Sequence, residues 1–196
     1  MARTGRRPGN PDTREAILAA ARDAFARQGY AGASVRRIAA AAGVDPALVH
    51  HYFGTKGDLF AAALKLPFSP DRLLPEVLSG DRDGIGERVV RAFLGIWDGP
   101  AGPQALAALR AVLASDADAG LLREFLISQL LRRAADEYAL SDAATRIPLA
   151  ASHLIGIVLA RHVLRIEPLA GASVDWLAAT VGPTIQRYLT GDLPPQ

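Results

Sequence analysis

The sequence predicts an all-α protein, in which a small three-helix unit at the amino end is followed by a longer helical bundle. Apolar residues recur three and four positions apart along most of the chain, as they do on the buried face of a helix. No segment alternates apolar and polar residues with a period of two, the pattern of a half-buried strand. Glycine and proline residues, 18 and 13 in number, separate the helical segments.

The composition narrows the class of protein. Half of the 196 residues are hydrophobic, and there is no cysteine for a disulfide or a thiol-based site. The charged N-terminal stretch MARTGRRPGNPDT has no apolar run behind it, so it is not typical of a signal peptide. We find no apolar run that approaches the ~18 residues of a membrane span. We therefore expect a soluble, cytoplasmic protein with no membrane partner.

Charge is distributed unevenly along the chain. Residues 1–66 contain ten Lys and Arg against five Asp and Glu, whereas residues 67–196 contain twelve against fifteen. A basic end on an acidic body is typical of a protein that binds a polyanion at one end. Charge alone leaves a chance fluctuation open as the alternative.

The amino end is predicted to be an arm followed by a first helix. Residues 1–11 are rich in arginine, glycine and proline and show no periodicity, so we expect them to be disordered. The arginines of this arm either stay solvated or follow nucleic-acid phosphates. They are Arg3, Arg6 and Arg7. Asp12 is a good start for the first helix, which carries one apolar stripe, and Gly29 ends it.

Residues 34–53, SVRRIAAAAGVDPALVHHYF, are predicted to form two short helices joined by a tight turn. The Ser34 hydroxyl can accept a free backbone N–H at the start of the first of these helices. Gly43 stands where the chain turns and can adopt a positive φ without strain. Asp45 then caps the second helix, and Pro46 occupies its first position, where a missing N–H costs nothing.

The second of these helices has an unusual exposed face. Val49 and Phe53 are four residues apart and are assigned to the core. The opposite face and its flanks carry Ala47, Leu48, His50 and His51. A solvated face would normally carry Lys or Glu. Imidazole nitrogens can bond base edges or phosphates, and small or apolar side chains can meet thymine methyls, so this face is typical of a recognition helix in a DNA major groove.

The stretch GASVRRIAAAAGVDPALVHHYFGTKGDLF resembles the DNA-binding signature of the TetR-family transcriptional regulators, in the form of an AcrR-like helix-turn-helix repressor. The shared elements are Gly43-Val44, His51-Tyr52-Phe53 and the run from Lys56 to Phe60. The resemblance covers residues 13–64. A helical hairpin with a chance pattern is the alternative.

A fourth helix is expected after Gly54, capped by Thr55 and carrying Lys56 in its first turn. A lysine and free N–H groups at a helix start favour phosphate, and the resemblance implies that this lysine touches the DNA backbone. The predicted phosphate contacts are Ser34, Arg36, Tyr52 and Lys56. The predicted base contacts are Pro46, Ala47, Leu48, His50 and His51. The family usually has hydroxyl or amide side chains at several base-facing positions, so a relative's operator does not transfer to this chain.

The rest of the chain is predicted to be helical. Ile85, Val89, Phe93 and Trp97 form a stripe at four-residue spacing. Val90 and Leu94 lie beside this stripe, so we expect the helix to be buried over a wide face. A short helical piece over residues 71–78 precedes it. Further helices are expected over residues 104–114, 117–139, 141–165 and 174–190.

The resemblance implies an apolar effector pocket in the body. The candidates that would line it are Phe93, Trp97, Phe125 and Gln129, because such pockets are apolar with few polar groups. Each of these side chains has plain core packing as its alternative.

The last two helices are where the resemblance implies a four-helix dimer interface. The ending VLRIEPLA…PTIQRYLTG resembles one C-terminal subgroup of the family. Gly156 and Ala160 are small residues four positions apart, which lets another helix approach closely. The candidate interface residues are Gly156, Ala160, Val163, Leu164, Trp176, Thr180 and Tyr188. The alternative is that both helices only close the core of one subunit.

No catalytic or metal-binding constellation is evident. His153 and His162 are nine apart, on opposite sides of a helix, so they cannot share a metal. No nucleophile elbow, P-loop or dinucleotide-binding glycine motif occurs. We therefore expect no enzyme activity, no cofactor and no metal.

The sequence predicts a homodimeric DNA-binding regulator, most plausibly a repressor released by an unknown small-molecule effector. Two recognition helices would lie about 34 Å apart on a near-palindromic double-stranded operator. The predicted parts are a basic arm (1–11), a helix-turn-helix domain (12–54) and a helical ligand-binding and dimerisation domain (55–196). The alternative is a helical small-molecule-binding or scaffold protein that does not use its helix-turn-helix.

Overall fold

The computed structural model describes residues 11–66, 73, 75–77, 79–126 and 142–194. Within these ranges the chain forms helices and no strand, which confirms the predicted all-α class. The α-helices are α1 (Pro11–Gly32), α2 (Val35–Ala41), α3 (Pro46–Phe53), α4 (Lys56–Ala63), α5 (Ile85–Asp98), α6 (Gly102–Leu113), α7 (Asp116–Leu126), α8 (Ala143–Val158) and α9 (Val174–Thr190). A 3₁₀ turn (Arg82–Gly84) precedes α5, and a π-helical turn (Leu159–Val163) extends α8.

The helices enclose two hydrophobic cores. The first lies in the head, by which we mean α1–α4, and includes Phe125 from α7. The second lies in the body, by which we mean α5–α9, and is built mainly from α5, α8 and α9. Helix α7 packs against both α1 and α6, so it joins the head to the body.

The predicted starts of α2 and α3 are confirmed, whereas α1 begins at Pro11, so Asp12 lies in its first turn and not before it. The Ser34 side chain accepts a hydrogen bond from the backbone N–H three residues on, at 3.3 Å, and caps α2. Gly43 has φ +68° at the turn between α2 and α3. Asp45 accepts from the N–H two residues on, at 2.7 Å, and Pro46 begins α3. These are interactions within three residues, which is why local sequence predicts them.

Helix α1 is broken near its end, as the sequence predicts. Gly29 has non-helical angles, φ 68° and ψ 176°, and a further helical stretch reaches Gly32. Only glycine adopts this conformation without strain, so the break is fixed by the residue type.

Two glycines let α5 and α9 cross in close contact in the body. A Cβ on Gly86 would stand 2.2 Å from the Gly182 carbonyl oxygen, and one on Gly182 would stand 2.6 Å from the Glu87 side chain. The Gly86 N–H donates to the Gln186 side chain at 2.8 Å. This contact of backbone on backbone anchors the body core.

The buried face of α5 differs from the predicted stripe. Ile85 and Trp97 are buried as expected, but Val89 and Phe93 are only half-buried. Val90 and Leu94, beside the stripe, are fully buried at 0% exposure. The crossing at Gly86 rotates α5 so that the neighbouring row faces α9.

The expectation that no apolar run approaches the length of a membrane span is wrong. Residues 143–163 form a 21-residue helix with mean hydropathy 1.5, long and apolar enough to cross a membrane by length and composition, and 33% of its most apolar window is buried. Two charged residues, Arg146 and Arg161, interrupt the apolar run near its ends, so the run is not evident in the sequence. Both arginines bond to the protein: Arg146 to the carbonyls at the end of α9, and Arg161 to Asp98 and the loop carbonyls of residues 169–172.

Several predictions fall outside the described residues. These are the arm up to residue 10, most of the short piece at 71–78, and residues 127–139 of the helix expected over residues 117–139. Helix α4 itself ends at Ala63, with Lys65 at φ 55°.

Substitution of Gly86 by alanine is expected to lower the free energy of unfolding by about 2–3 kcal/mol, because the new methyl would push α5 and α9 apart. Gly95→Ala is the matched control on the same helix. A Cβ there meets nothing within 4 Å, so helix propensity should raise stability by about 0.5–1 kcal/mol. Urea unfolding of both variants measures the difference. Equal effects of the two would contradict the close crossing.

Candidate nucleic-acid interface

Helix α3 has one buried face and one exposed face. Val49 and Phe53 point into the head core at 2% and 7% exposure, and the Arg14 guanidinium lies 5.2 Å from the centre of the Phe53 ring. The predicted base contacts all lie on the outer side. Ala47, His50 and His51 are exposed, and Pro46 and Leu48 are half-buried. The helix therefore presents a continuous surface made of small, apolar and imidazole groups.

The His50 ring has a fixed orientation. Its Nδ1 lies 2.8 Å from the carbonyl oxygen of Gly54, the residue that ends α3. A carbonyl oxygen only accepts, so Nδ1 carries the hydrogen, and Nε2 of the neutral ring is an acceptor. In this tautomer the Nε2 acceptor can bond the amino group of adenine or cytosine in a major groove.

Lys56 lies at the start of α4 and rests on the end of α1. Its ammonium is 4.5 Å from the centre of the Tyr30 ring and 3.5 Å from the Ala31 carbonyl oxygen. Thr55 and Asp58 form a reciprocal capping box around this helix start, at 3.0 and 3.2 Å. The sequence predicts the Thr55 cap but not the contact of Lys56 with Tyr30, because those residues are 26 positions apart.

The corner between α1 and α2 is closed by Arg37. Its side chain donates to the Gly32 carbonyl at 2.9 Å and to the Ser34 hydroxyl at 3.4 Å. The arginine predicted from the sequence to contact phosphate is the neighbouring Arg36, which is exposed. The Ser34 oxygen accepts from both the backbone N–H and the side chain of Arg37, which leaves its O–H as a donor for another partner.

Tyr52 is placed differently from the other predicted phosphate contacts. Its ring packs against His51, at 5.7 Å between centroids, and its hydroxyl oxygen is covered by protein. The hydroxyl has no hydrogen-bond partner among the described residues. A phosphate would reach it only after a side-chain movement.

The predicted pocket residues are not brought together. Phe93 and Trp97 are neighbours, with ring centroids 5.8 Å apart, in the body core. Phe125 instead lies in the head core at 0% exposure, stacked on Phe60 at 4.4 Å. Gln129 lies outside the described residues.

The side of Trp97 away from Phe93 meets a charged cluster. The His162 ring stacks on Trp97 at 6.4 Å, and its Nε2 lies 3.1 Å from an Asp98 carboxylate oxygen, at an angle that does not form a hydrogen bond. Arg161 binds the same carboxylate through two nitrogens, at 3.1 and 2.7 Å. Burial lowers the pKa of His162 from the ordinary value of 6.5; the Arg161 charge adds to this, and Asp98 opposes it.

The predicted interface residues form an apolar outer surface on α8 and α9. Gly156 and Thr180 are exposed, Ala160 and Tyr188 are half-buried, and a Cβ on Gly156 would meet nothing within 4 Å. The exposed large hydrophobic side chains of the described residues all lie here or in the loop between these helices: Leu149, Ile155, Val163, Leu164, Ile166 and Trp176. His153 contacts the Tyr188 ring at 6.0 Å. We call the exposed face of α8 and α9 the outer face.

In the described part of the chain, no three His, Asp or Glu side chains lie close enough together to hold a metal ion. The fold and the exposed face of α3 define a helix-turn-helix protein of the DNA-binding class.

Comparison with known proteins assigns the family. Residues 17–63 match the model of the bacterial regulatory proteins of the tetR family, and residues 83–189 match the tetracyclin repressor-like C-terminal domain. The chain belongs to the TetR family of transcriptional regulators. This confirms the resemblance seen in the sequence, including that of the C-terminal segment.

Individual relatives agree with this assignment. The helix-turn-helix-type transcriptional repressor SCO4008 of Streptomyces coelicolor is 41% identical over 68 residues, 30% of this chain and 35% of that protein. The repressor AcnR of Corynebacterium efficiens is 46% identical over 59 residues, 30% of each chain. The chain thus spans about a third of the length of these curated relatives. The crystal structure of a TetR-family regulator, SCO0857, from Streptomyces coelicolor is 40% identical, with a TM-score of 0.49 over 95% of this chain and 99% of that one.

The pKa of His162 predicts a loss of stability in acid. The unfolded chain takes up a proton near pH 6.5, while the folded chain resists protonation until a lower pH, so the free energy of unfolding falls as pH drops below 6.5. His162→Gln removes this proton uptake. The melting temperature of the variant should therefore fall less than that of the parent protein between about pH 7.5 and about pH 5.5. An identical fall in both proteins would contradict the conclusion that burial lowers the pKa of His162.

Proposed function

We propose that this TetR-family protein is a homodimeric transcriptional repressor that binds a near-palindromic DNA operator and is released by a small-molecule effector. The observation that carries the proposal is the exposed face of α3, held by its caps and bearing two histidines and no acidic residue. An anion such as DNA is compatible with that face. The protein would act in the cytoplasm, where its operator is.

The proposed DNA contacts are of two kinds. Ser34, Arg36, Tyr52 and Lys56 contact phosphates and set the register, whereas Pro46, Ala47, Leu48, His50 and His51 face the bases. His50, with Nε2 as the acceptor, reads an amino group of adenine or cytosine. Leu48 and Ala47 meet thymine methyls, so sequence recognition relies on few hydrogen bonds.

The proposed dimer forms through the outer face. Helix α8 is apolar on the side that packs against α9 and again on the side that faces outward, a pattern expected of a helix buried on both sides. Gly156 has no side chain and open space around it, so a partner helix could approach the α8 backbone closely there. Two copies would place their recognition helices about 34 Å apart, one turn of DNA.

The proposed effector site lies beside Phe93 and Trp97 in the body. The Trp97 indole nitrogen is buried and has no hydrogen-bond partner among the described residues. A buried donor without a partner costs about 1–3 kcal/mol, which an acceptor atom on an effector would relieve. The coupling to DNA release would be about 1–3 kcal/mol, as is usual between two sites.

The second candidate is a helical small-molecule-binding or scaffold protein that does not use its helix-turn-helix. The same outer face and the same unpaired Trp97 nitrogen are compatible with it. The two proposals differ in what the head does, so substitutions in the head separate them.

Selection of bound duplexes from random DNA at two salt concentrations tests the DNA-binding proposal. The protein should enrich a near-palindrome. Lys56→Gln should weaken binding to all sequences and lower the salt dependence by about one ion, because it removes a phosphate contact. His50→Ala should instead relax the preference at one base pair in each half-site, worth about 1–3 kcal/mol.

Lys65→Gln is the matched control for that selection, because it removes the other lysine of the chain from the far end of α4. It should leave both the enriched sequence and the affinity unchanged. No enrichment at low salt, or equal losses for the two lysine variants, would favour the scaffold proposal.

A glutamate at Gly156 is expected to convert the dimer to monomer, because it buries a charge between two apolar helices. Gly95→Glu is the matched control: that glycine is also exposed, on α5, and has equally open space around its Cβ. Sedimentation of both variants at micromolar concentration provides the measurement. A dimer that survives Gly156→Glu, or dissociates equally with Gly95→Glu, would contradict the interface.

A further inference from the structure

A side chain of body helix α7 completes the broken end of α1 in the head. The Glu124 carboxylate accepts a hydrogen bond from the Ala31 backbone N–H at 2.8 Å. The same carboxylate packs where a side chain on Gly29 would stand, because a Cβ there would lie 2.6 Å from the Glu124 Oε2 atom. The glycine at the break and the glutamate from α7 therefore fit each other, over a sequence separation of more than ninety residues.

The corner that Glu124 holds is the corner on which Lys56 rests. Tyr30 and Ala31, which we call the α1 corner, contact the Lys56 ammonium through the ring face and through a carbonyl. Phe125, next to Glu124, meets the same Tyr30 ring edge to face at 5.0 Å. Tyr30 and Ala31 thus lie between helix α7 of the body and Lys56, the proposed phosphate contact.

We propose that Glu124 is a positioning residue for DNA binding, which acts through the α1 corner on Lys56. The inference rests on the proposed DNA-binding function and adds the route by which the body affects it. The hydrogen bond to Ala31 fixes the backbone beyond a flexible glycine, so the Tyr30 ring and the Ala31 carbonyl hold the ammonium at one place beside the start of α4. A shift of α7 along α1 would break that hydrogen bond and release the lysine without moving α3.

The surroundings of Glu124 leave room for such a shift. An open groove between α1 and α7 is lined by Gly29, by the charged residues Asp118, Arg123 and Glu124, and by small and apolar residues. The hydrogen bond is half-exposed, and water can replace Ala31 as its partner at modest cost. The link can therefore open without unfolding either core.

A double-mutant cycle tests this role on the full-length protein with the operator recovered by selection. Glu124→Ala should weaken operator binding about tenfold and lower its salt dependence as Lys56→Gln does. In the Lys56→Gln background, Glu124→Ala should have almost no further effect on affinity. Glu124→Gln should bind as the parent protein does, because its amide oxygen can still accept from Ala31.

Asp118→Ala is the matched control, because it removes a carboxylate from the same helix and the same groove, and it should leave binding unchanged. Melting temperatures are measured alongside, and Glu124→Ser, too short to reach Ala31, replaces Glu124→Ala if that variant does not fold. A loss of affinity that is equal in both Lys56 backgrounds would show a purely structural role and overturn the inference. If Lys56→Gln alone has no effect, the inference fails while DNA binding stands. If the parent protein enriches no duplex, the proposed function and the inference fail together.

Discussion

The structure depends on the insertion of Phe125, a side chain of the body, into the aromatic core of the head. Its ring stacks on Phe60 at 4.4 Å and meets Tyr30 at 5.0 Å, and Phe25 closes the group at 4.9 Å from Phe60. A unit of some 60 residues buries only about 60% of the surface that its unfolded chain exposes, so four short helices are marginal alone. The orientation of the recognition helix therefore depends on helix α7 as well as on its own caps.

The body supplies a rigid support for that insertion. The glycine crossing of α5 and α9 brings two backbones into contact, and arginines close both ends of the α8–α9 pair. Arg146 donates to two carbonyls at the end of α9, at 3.0 and 2.7 Å, and Arg161 donates to three loop carbonyls and to Asp98. These contacts fix one side of α8, and apolar side chains on its other side stay exposed.

The parts of this molecule that the sequence predicts are those decided within a few residues. Ser34, Asp45 and Thr55 each bond a backbone N–H two or three positions on, so residue type and spacing suffice to place these helix starts. Gly29 and Gly43 adopt the positive φ that only glycine takes without strain. The class of fold and the exposed face of α3 follow from the same local patterns.

The parts that the sequence does not predict depend on distant partners. Phe125 reads as an ordinary apolar position in a helical stripe, and nothing near it indicates that it belongs to the head. The rotation of α5 from Val89 and Phe93 to Val90 and Leu94 follows from a glycine contact with a helix a hundred residues later. The Arg37 side chain donates to the Gly32 carbonyl, whose position depends on the break in α1, so this contact could not be predicted from the residues around Arg37.

At the proposed DNA interface, phosphate attraction and base recognition depend on different features of the protein. The proposed long-range attraction of phosphate would come from the charge of residues 1–66, which carry ten basic against five acidic side chains, and it would need less geometric accuracy than base recognition. Base recognition needs accuracy, and α3 has only a few polar atoms with which to achieve it, one of them the oriented imidazole of His50. A small displacement of the head would thus weaken recognition before it weakens attraction. In the proposed interface, a change at Phe125, which lies in the head core, would therefore affect operator choice, whereas a change at Glu124 would affect phosphate attraction through Lys56.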